Sequence, residues 1–128
     1  MKIGSIGWID LAVENAGEVR DFYRAVTGWA AEDVKMDGYQ DYCMSPPDGD
    51  GPVAGICHRE GGNATFPPGW LIYITVEDLD QSVARCLELG GELVVPPKGM
   101  GRDLYCVIRD PSGSCSALYQ KAPEKTDE

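Results

Sequence analysis

The chain has 128 residues and 43% apolar content, enough to bury one hydrophobic core without disulfide staples and too little for a second domain. Its formal net charge is −10, a surface that repels a phosphate backbone and so argues against nucleic acid as a partner. Met1-Lys2-Ile3-Gly4-Ser5 opens no long apolar run, so neither a signal peptide nor a membrane span is expected, and a cytoplasmic protein is.

In chain order, Trp8–Asn15 is the first strand candidate. Ile9, Leu11 and Val13 alternate with Trp8, Asp10 and Ala12, and a period of two sends them to opposite faces. Asn15 with Glu18 has capping-box spacing ahead of a helix. Ala16, Val19, Phe22, Tyr23 and Val26 recur at helical spacing, and Gly28 stands where a helix ends. Three short strands are then expected at 30–36, 39–45 and 53–58, separated by Asp37-Gly38 and by Pro46-Pro47-Asp48-Gly49. The polar, Gly- and Pro-rich stretch 60–69 reads as a linker.

The same programme then repeats. Ile72, Ile74 and Val76 alternate with Leu71, Tyr73 and Thr75, and Asp78 with Gln81 has capping-box spacing. Leu79, Val83, Cys86 and Leu87 carry a helical stripe closed by Gly90. Strands are expected at 92–95, 104–109 and 115–120, the last after the turn Asp110-Pro111-Ser112-Gly113. The result is a single α+β domain, residues 1–128, of two βαβββ modules (about 3–59 and 69–121), a linker at 60–69 and a tail at 122–128 expected to fray. One helix covers one face of each sheet. Two curved sheets facing each other across a shared cleft would cover the other.

Arg20-Asp21-Phe22-Tyr23-Arg24 before Gly28-Trp29, Val76-Glu77-Asp78-Leu79-Asp80, Leu89-Gly90-Gly91 and Asp110-Pro111-Ser112-Gly113 together resemble the vicinal oxygen chelate superfamily of glyoxalase I, bleomycin-resistance proteins and extradiol dioxygenases. The resemblance implies this glyoxalase-like fold over nearly the whole chain. In that family, metal enzymes hold a divalent ion with His and Glu from the first and last strand of each module. Here the matching positions are Trp8, Leu71, Gly55 and Ala117, none of which offers the carboxylate or imidazole such an ion needs. No metal and no other cofactor is therefore expected. The five cysteines, Cys43, Cys57, Cys86, Cys106 and Cys115, lack a C-x-x-C spacing and read as buried thiols. His58, the sole histidine, reads as a strand-edge side chain without an orienting carboxylate.

The faces turned from the helices carry Trp8, Asp10, Leu71, Tyr73, Ala117 and Tyr119, a lining suited to a small, planar organic ligand. Asp10 is also the candidate catalytic acid or base. Pro96–Arg102 reads as a mobile lip, with Arg102 opening a strand and presenting its fork to an anion, and Tyr105 following it toward the ligand. Three functions remain open: a metal-free binding protein of the bleomycin-resistance type, an enzyme with non-metal acid–base chemistry, and a degenerate paralogue acting through protein contacts. The linker is compatible with module pairing within one chain or across a homodimer.

Overall fold

A computed structural model describes residues 2–123. The chain forms β1 (Ile6–Val13), α1 (Ala16–Thr27), β2 (Ala30–Lys35), β3 (Gln40–Ser45), β4 (Ala54–His58), β5 (Trp70–Thr75), α2 (Leu79–Glu88), β6 (Glu92–Met100), β7 (Asp103–Arg109) and β8 (Cys115–Gln120). This is the expected α+β order, βαβββ written twice. Two compact units result: Trp8–Leu71, and residues 72–123 together with 2–7.

In the unit Trp8–Leu71 the strand order is β2-β3-β4-β1. Strands β2, β3 and β4 are antiparallel in turn, and β4 runs parallel to β1. The pleat sends Ile9 and Val13 of β1, Tyr42 and Met44 of β3, and Ala54 and Ile56 of β4 to one side, where Ala16, Val19 and Tyr23 of α1 cover them. Met44 and Ile56 are wholly buried. The helical stripe is narrower than its periodicity implies: Phe22 is 57% exposed and Val26 64%. Residues 16, 19 and 23 lie on one stripe down the helix, whereas 22 stands about 100° round from 23; Val26 belongs to the stripe by angle but lies in the last turn, next to the helix end. Gly28 ends the helix at φ 81°, its N–H donating to the Arg24 carbonyl at 3.1 Å.

The second unit repeats the design in the order β5-β8-β7-β6. Strand β5 is parallel to β8, and β8, β7 and β6 are antiparallel in turn. Ile74 and Val76 pack with Cys106 and Leu118 beneath Leu79 and Val83 of α2, while Leu87 stays exposed.

The two helix starts differ. Asp78 accepts the Gln81 N–H at 3.1 Å, a true N-cap. Asn15 makes no such cap; its Nδ2 instead donates to Glu18 Oε1 at 3.2 Å, outside the helix ladder.

Three expectations need correcting. First, β6 does not stop at Val95 but continues through Pro96 and Pro97 to Met100, in register with β7 at Lys98–Tyr105 and Met100–Asp103. Register shifts on either side of Val95 absorb prolines that lack an N–H, which an edge strand tolerates. The expected mobile lip is therefore one arm of a hairpin. Second, the segment 60–69 contains a 3₁₀ turn at Gly61–Asn63 and buries Phe66, so it is anchored to the unit Trp8–Leu71. Third, the start of the expected tail is held: the Ala122 N–H donates to Asp103 Oδ1 at 2.7 Å. The rest of that tail, 124–128, lies outside the described residues.

The helix caps give a direct test. In urea denaturation, Asp78→Ala should cost about 1 kcal/mol through the lost N-cap. Asn15→Ala, which removes no cap, should cost no more than a few tenths, about the size of an exposed side-chain pair.

Candidate functional site

Both sheets present a face turned away from their helix, and each is built by the same strand alternation. In the unit Trp8–Leu71 that face carries Trp8, Asp10 and Ala12 of β1, Gly55 and Cys57 of β4, and Asp41 and Cys43 of β3. Trp8 and Asp10, two residues apart, meet directly: the indole Nε1–H donates to Asp10 Oδ1 at 2.5 Å. Asp10 is also in register with Gly55. A Cβ at position 55 would collide with Asp10 Oδ1 and come within 3.4 Å of Trp8 Nε1. The carboxylate thus lies across the bare Gly55 backbone, pinned there by the indole.

Asp10 also acts on the neighbouring thiols. Burial pushes the Cys57 thiol well above its ordinary pKa, and the charges of Asp10 and Asp41 push it further. Cys43 is raised by burial, then by Glu32 and Asp10. In the second unit, burial raises Cys106 to about 11. All five cysteines are unbridged, and these three are held as thiols at neutral pH, poor nucleophiles and poor metal ligands. Among the described residues, no three His, Cys, Asp or Glu side chains converge as a metal donor set.

Two groups on this unit escaped the sequence. His58 does have a carboxylate beside it: Asp41 Oδ1 lies 3.6 Å from Nδ1 and accepts the His58 backbone N–H at 2.8 Å. Nδ1 itself is 2.6 Å from the Gln40 carbonyl. A carbonyl only accepts, so Nδ1 is the donor in this contact. The ring is flanked by Tyr39 and Tyr42 and is 21% exposed, rather than free at a solvent edge. A charged residue directly before the apolar run Tyr42-Cys43-Met44, within the same strand, was the available signal for Asp41. The second group is Arg59, the residue directly after β4. Its Nη2 donates to the Ala12 carbonyl at 3.4 Å, and its Nε is buried without a partner.

In the second unit, β5 turns Leu71, Tyr73 and Thr75 to one side, and all three are buried. Tyr73 is in register with Ala117, and Tyr105 with Tyr119. The Tyr73 and Tyr105 rings lie 6.2 Å apart at 41°. Tyr73, Tyr105, Ala117 and Tyr119 thus lie on one side of the second unit's strands. Arg102 does not open β7; it sits in the turn before Asp103, and its Nη2 donates to the Pro123 carbonyl at 3.1 Å. Asp103 accepts from Tyr119 Oη as well as from the Ala122 N–H. These donors, Ala122 first, hold the Asp103 carboxyl below its usual range. Burial, then Asp103, raises Tyr119 to about 12.

Residues 5–115 match the family model for the Glyoxalase/Bleomycin resistance protein/Dioxygenase superfamily. The chain belongs to this superfamily. It is 35% identical over 111 residues to the anthracycline biosynthesis protein DnrV of Streptomyces peucetius, a match covering 87% of this chain and 39% of the relative. It is 29% identical over 119 residues to the putative glyoxylase CFP32 of Mycobacterium tuberculosis, covering 91% and 46%. The chain thus spans less than half the length of these relatives. Among solved structures, methylmalonyl-CoA epimerase from Mycobacterium tuberculosis superposes with a TM-score of 0.56 at 20% identity, covering 94% of this chain and 89% of that one. At that identity the superposition speaks for the fold alone. Superfamily membership confirms the architecture and, since the fold hosts several chemistries, selects none of them.

Two outcomes test this geometry. Gly55→Ala should lose about 1–3 kcal/mol by overpacking against Asp10. In Asp10→Ala/Gly55→Ala that loss should largely disappear, so a denaturation double-mutant cycle should show a strong non-additive term. Separately, Asp103 should titrate below the usual 3.8 when followed by carboxyl NMR. Because its folded pKa is depressed, its contribution to stability is complete above the unfolded value and is lost as pH falls through the folded one. In Asp103→Asn that part of the acid-limb pH dependence should vanish.

Proposed function

We propose that this chain is a metal-free, cytoplasmic member of the superfamily that binds a small, planar organic molecule on the helix-free faces of its sheets. One observation carries the reading: Asp10, locked by Trp8, fills the space above Gly55 where a metal ligand of the family would project. The other positions point the same way, since Leu71 and Ala117 are buried and apolar. Without a divalent ion there is no Lewis acid to polarise a carbonyl or hold an enediolate, so glyoxalase-type lysis is not expected. What remains is a surface of aromatic rings and small side chains with few polar groups, suited to stacking and shape recognition. The five cysteines are unbridged, in keeping with a reducing compartment. Among the described residues no helix is long and apolar enough to cross a membrane. Similarity to a protein named for anthracycline biosynthesis supports planar polycyclic compounds as first probes.

Thermal-shift and tryptophan-quenching titrations with a planar-compound library should give saturable binding by at least one class, weakened by Trp8→Ala and by Tyr73→Ala. Elemental analysis of the native protein should find no stoichiometric metal. Bound metal at one equivalent, or silence across the library, defeats the proposal.

Asp10 also supports an enzymatic alternative, because a half-buried carboxylate between an indole and two protonated thiols is suitably placed for acid–base work. Under that alternative, Asp10→Asn abolishes turnover of a bound compound while leaving its affinity nearly unchanged. Equal turnover in both proteins removes it.

A further inference from the structure

Arg59 is the group that the structure leaves unexplained. The protein carries 21 acidic residues, yet among the described residues no carboxylate pairs with this arginine. Its backbone N–H continues the parallel ladder by donating to the Val13 carbonyl at 3.0 Å, which fixes the residue beside β1. Its side chain bends back over the strand, with Nη2 on the Ala12 carbonyl at 3.4 Å, a long and weak bond. Its Nε is buried and unpartnered. A buried charged donor with no acceptor forfeits more than the roughly 1–3 kcal/mol of a neutral one, and native proteins rarely leave one.

The position of that orphan donor is informative. Gly55 and Cys57 follow one another on the helix-free side of the strand, and Ala12 is in register with Cys57. Strand β4 ends at His58, and Arg59 follows directly on it. Asp10 and the Trp8 indole stand over Gly55. The Arg59 guanidinium reaches back to the Ala12 carbonyl, beside Cys57, so small side chains, Ala12, Gly55 and the Cys57 thiol, lie toward Asp10. Small side chains with a cationic fork beside them suit a flat molecule that carries an anionic group. The Nε and Nη2 edge of a guanidinium is one of its two bidentate faces for a carboxylate.

We propose that Arg59 is the anchor for a carboxylate on the ligand, so that the molecule bound by this face is a planar organic acid. The inference rests on the ligand-binding function proposed above and specifies its chemical class. Binding proceeds by replacement of the weak Ala12 carbonyl contact with a charge-assisted pair, the long arginine stem turning to bring the Nε edge to the incoming acid.

The test compares anthraquinone-2-carboxylate with its neutral carboxamide, titrated by calorimetry and by tryptophan quenching. The wild-type protein should bind the acid at least about ten-fold more tightly than the amide, the size expected of a charge-assisted hydrogen bond. Arg59→Gln should abolish the preference while leaving amide affinity within about two-fold, and Arg59→Lys should restore part of it. An unchanged preference in Arg59→Gln overturns the anchor while leaving the binding function standing. Binding of neither probe overturns both. Should Arg59→Gln fail to fold, the wild-type protein supplies the readout: the Arg59 Nε–H resonance should shift on addition of the acid and not of the amide. A signal indifferent to both marks an arginine satisfied internally, by buried water or by packing, and rejects the proposal.

Discussion

The pleat of two parallel strand pairs, β1 with β4 and β5 with β8, governs the rest of the molecule. A strand can offer a hydrophobic face to only one helix, and its alternate residues are then committed to the opposite side. In each unit the helix takes the aliphatic set: Ile9, Val13 and Ile56 under α1, and Ile74, Val76 and Leu118 under α2. The remaining set is thereby defined without further choice, and it contains every aromatic, small and ionisable residue on which a ligand site can draw. Core and site are two readings of one alternation, so a one-residue slip in either strand pair would exchange them.

That logic explains what the amino-acid order revealed. Ile9 and Val13, or Ile74 and Val76, announce their faces by local periodicity alone, and Gly28 announces a left-handed helix end because few other residues adopt one. Tyr105 meets Tyr119 because turn chemistry fixes the β7–β8 hairpin register, while Tyr73 meets Ala117 across the parallel β5–β8 ladder. What stayed hidden depends on partners distant in sequence. The reason that residue 55 is a glycine lies in a side chain on another strand. The carboxylate for His58 arrives from β3, seventeen positions earlier. Phe66 was invisible among glycines and prolines, because a single aromatic in a polar stretch has no period to betray it. Pro96 and Pro97 misled for the opposite reason: they break a central strand, but β6 lies at the edge of its sheet and accommodates them with register shifts.

Charge is distributed unevenly over this acidic chain. Most carboxylates are on the surface, where their pairs with Arg20, Arg24 and Arg85 are exposed and contribute little. The few drawn inward have specific local acceptor roles. Asp10 holds an indole, Asp41 a strand-edge histidine and Asp103 the residues after β8. Each of these carboxylates accepts at least one N–H, which offsets the cost of removing it from water.

The Asp10–Gly55 contact also constrains the order in which this sequence can change. Any residue larger than glycine at 55, a histidine or glutamate included, meets an occupied volume as long as Asp10 is present. Either the Asp10 carboxylate turns away or position 10 changes first, and in both cases Trp8 loses the acceptor that orients its ring. A descendant regaining a side chain at 55 has to pass through an intermediate in which the present arrangement is already dismantled. The two sites are epistatic by simple exclusion of volume, which makes the existing state easy to keep and hard to leave one substitution at a time.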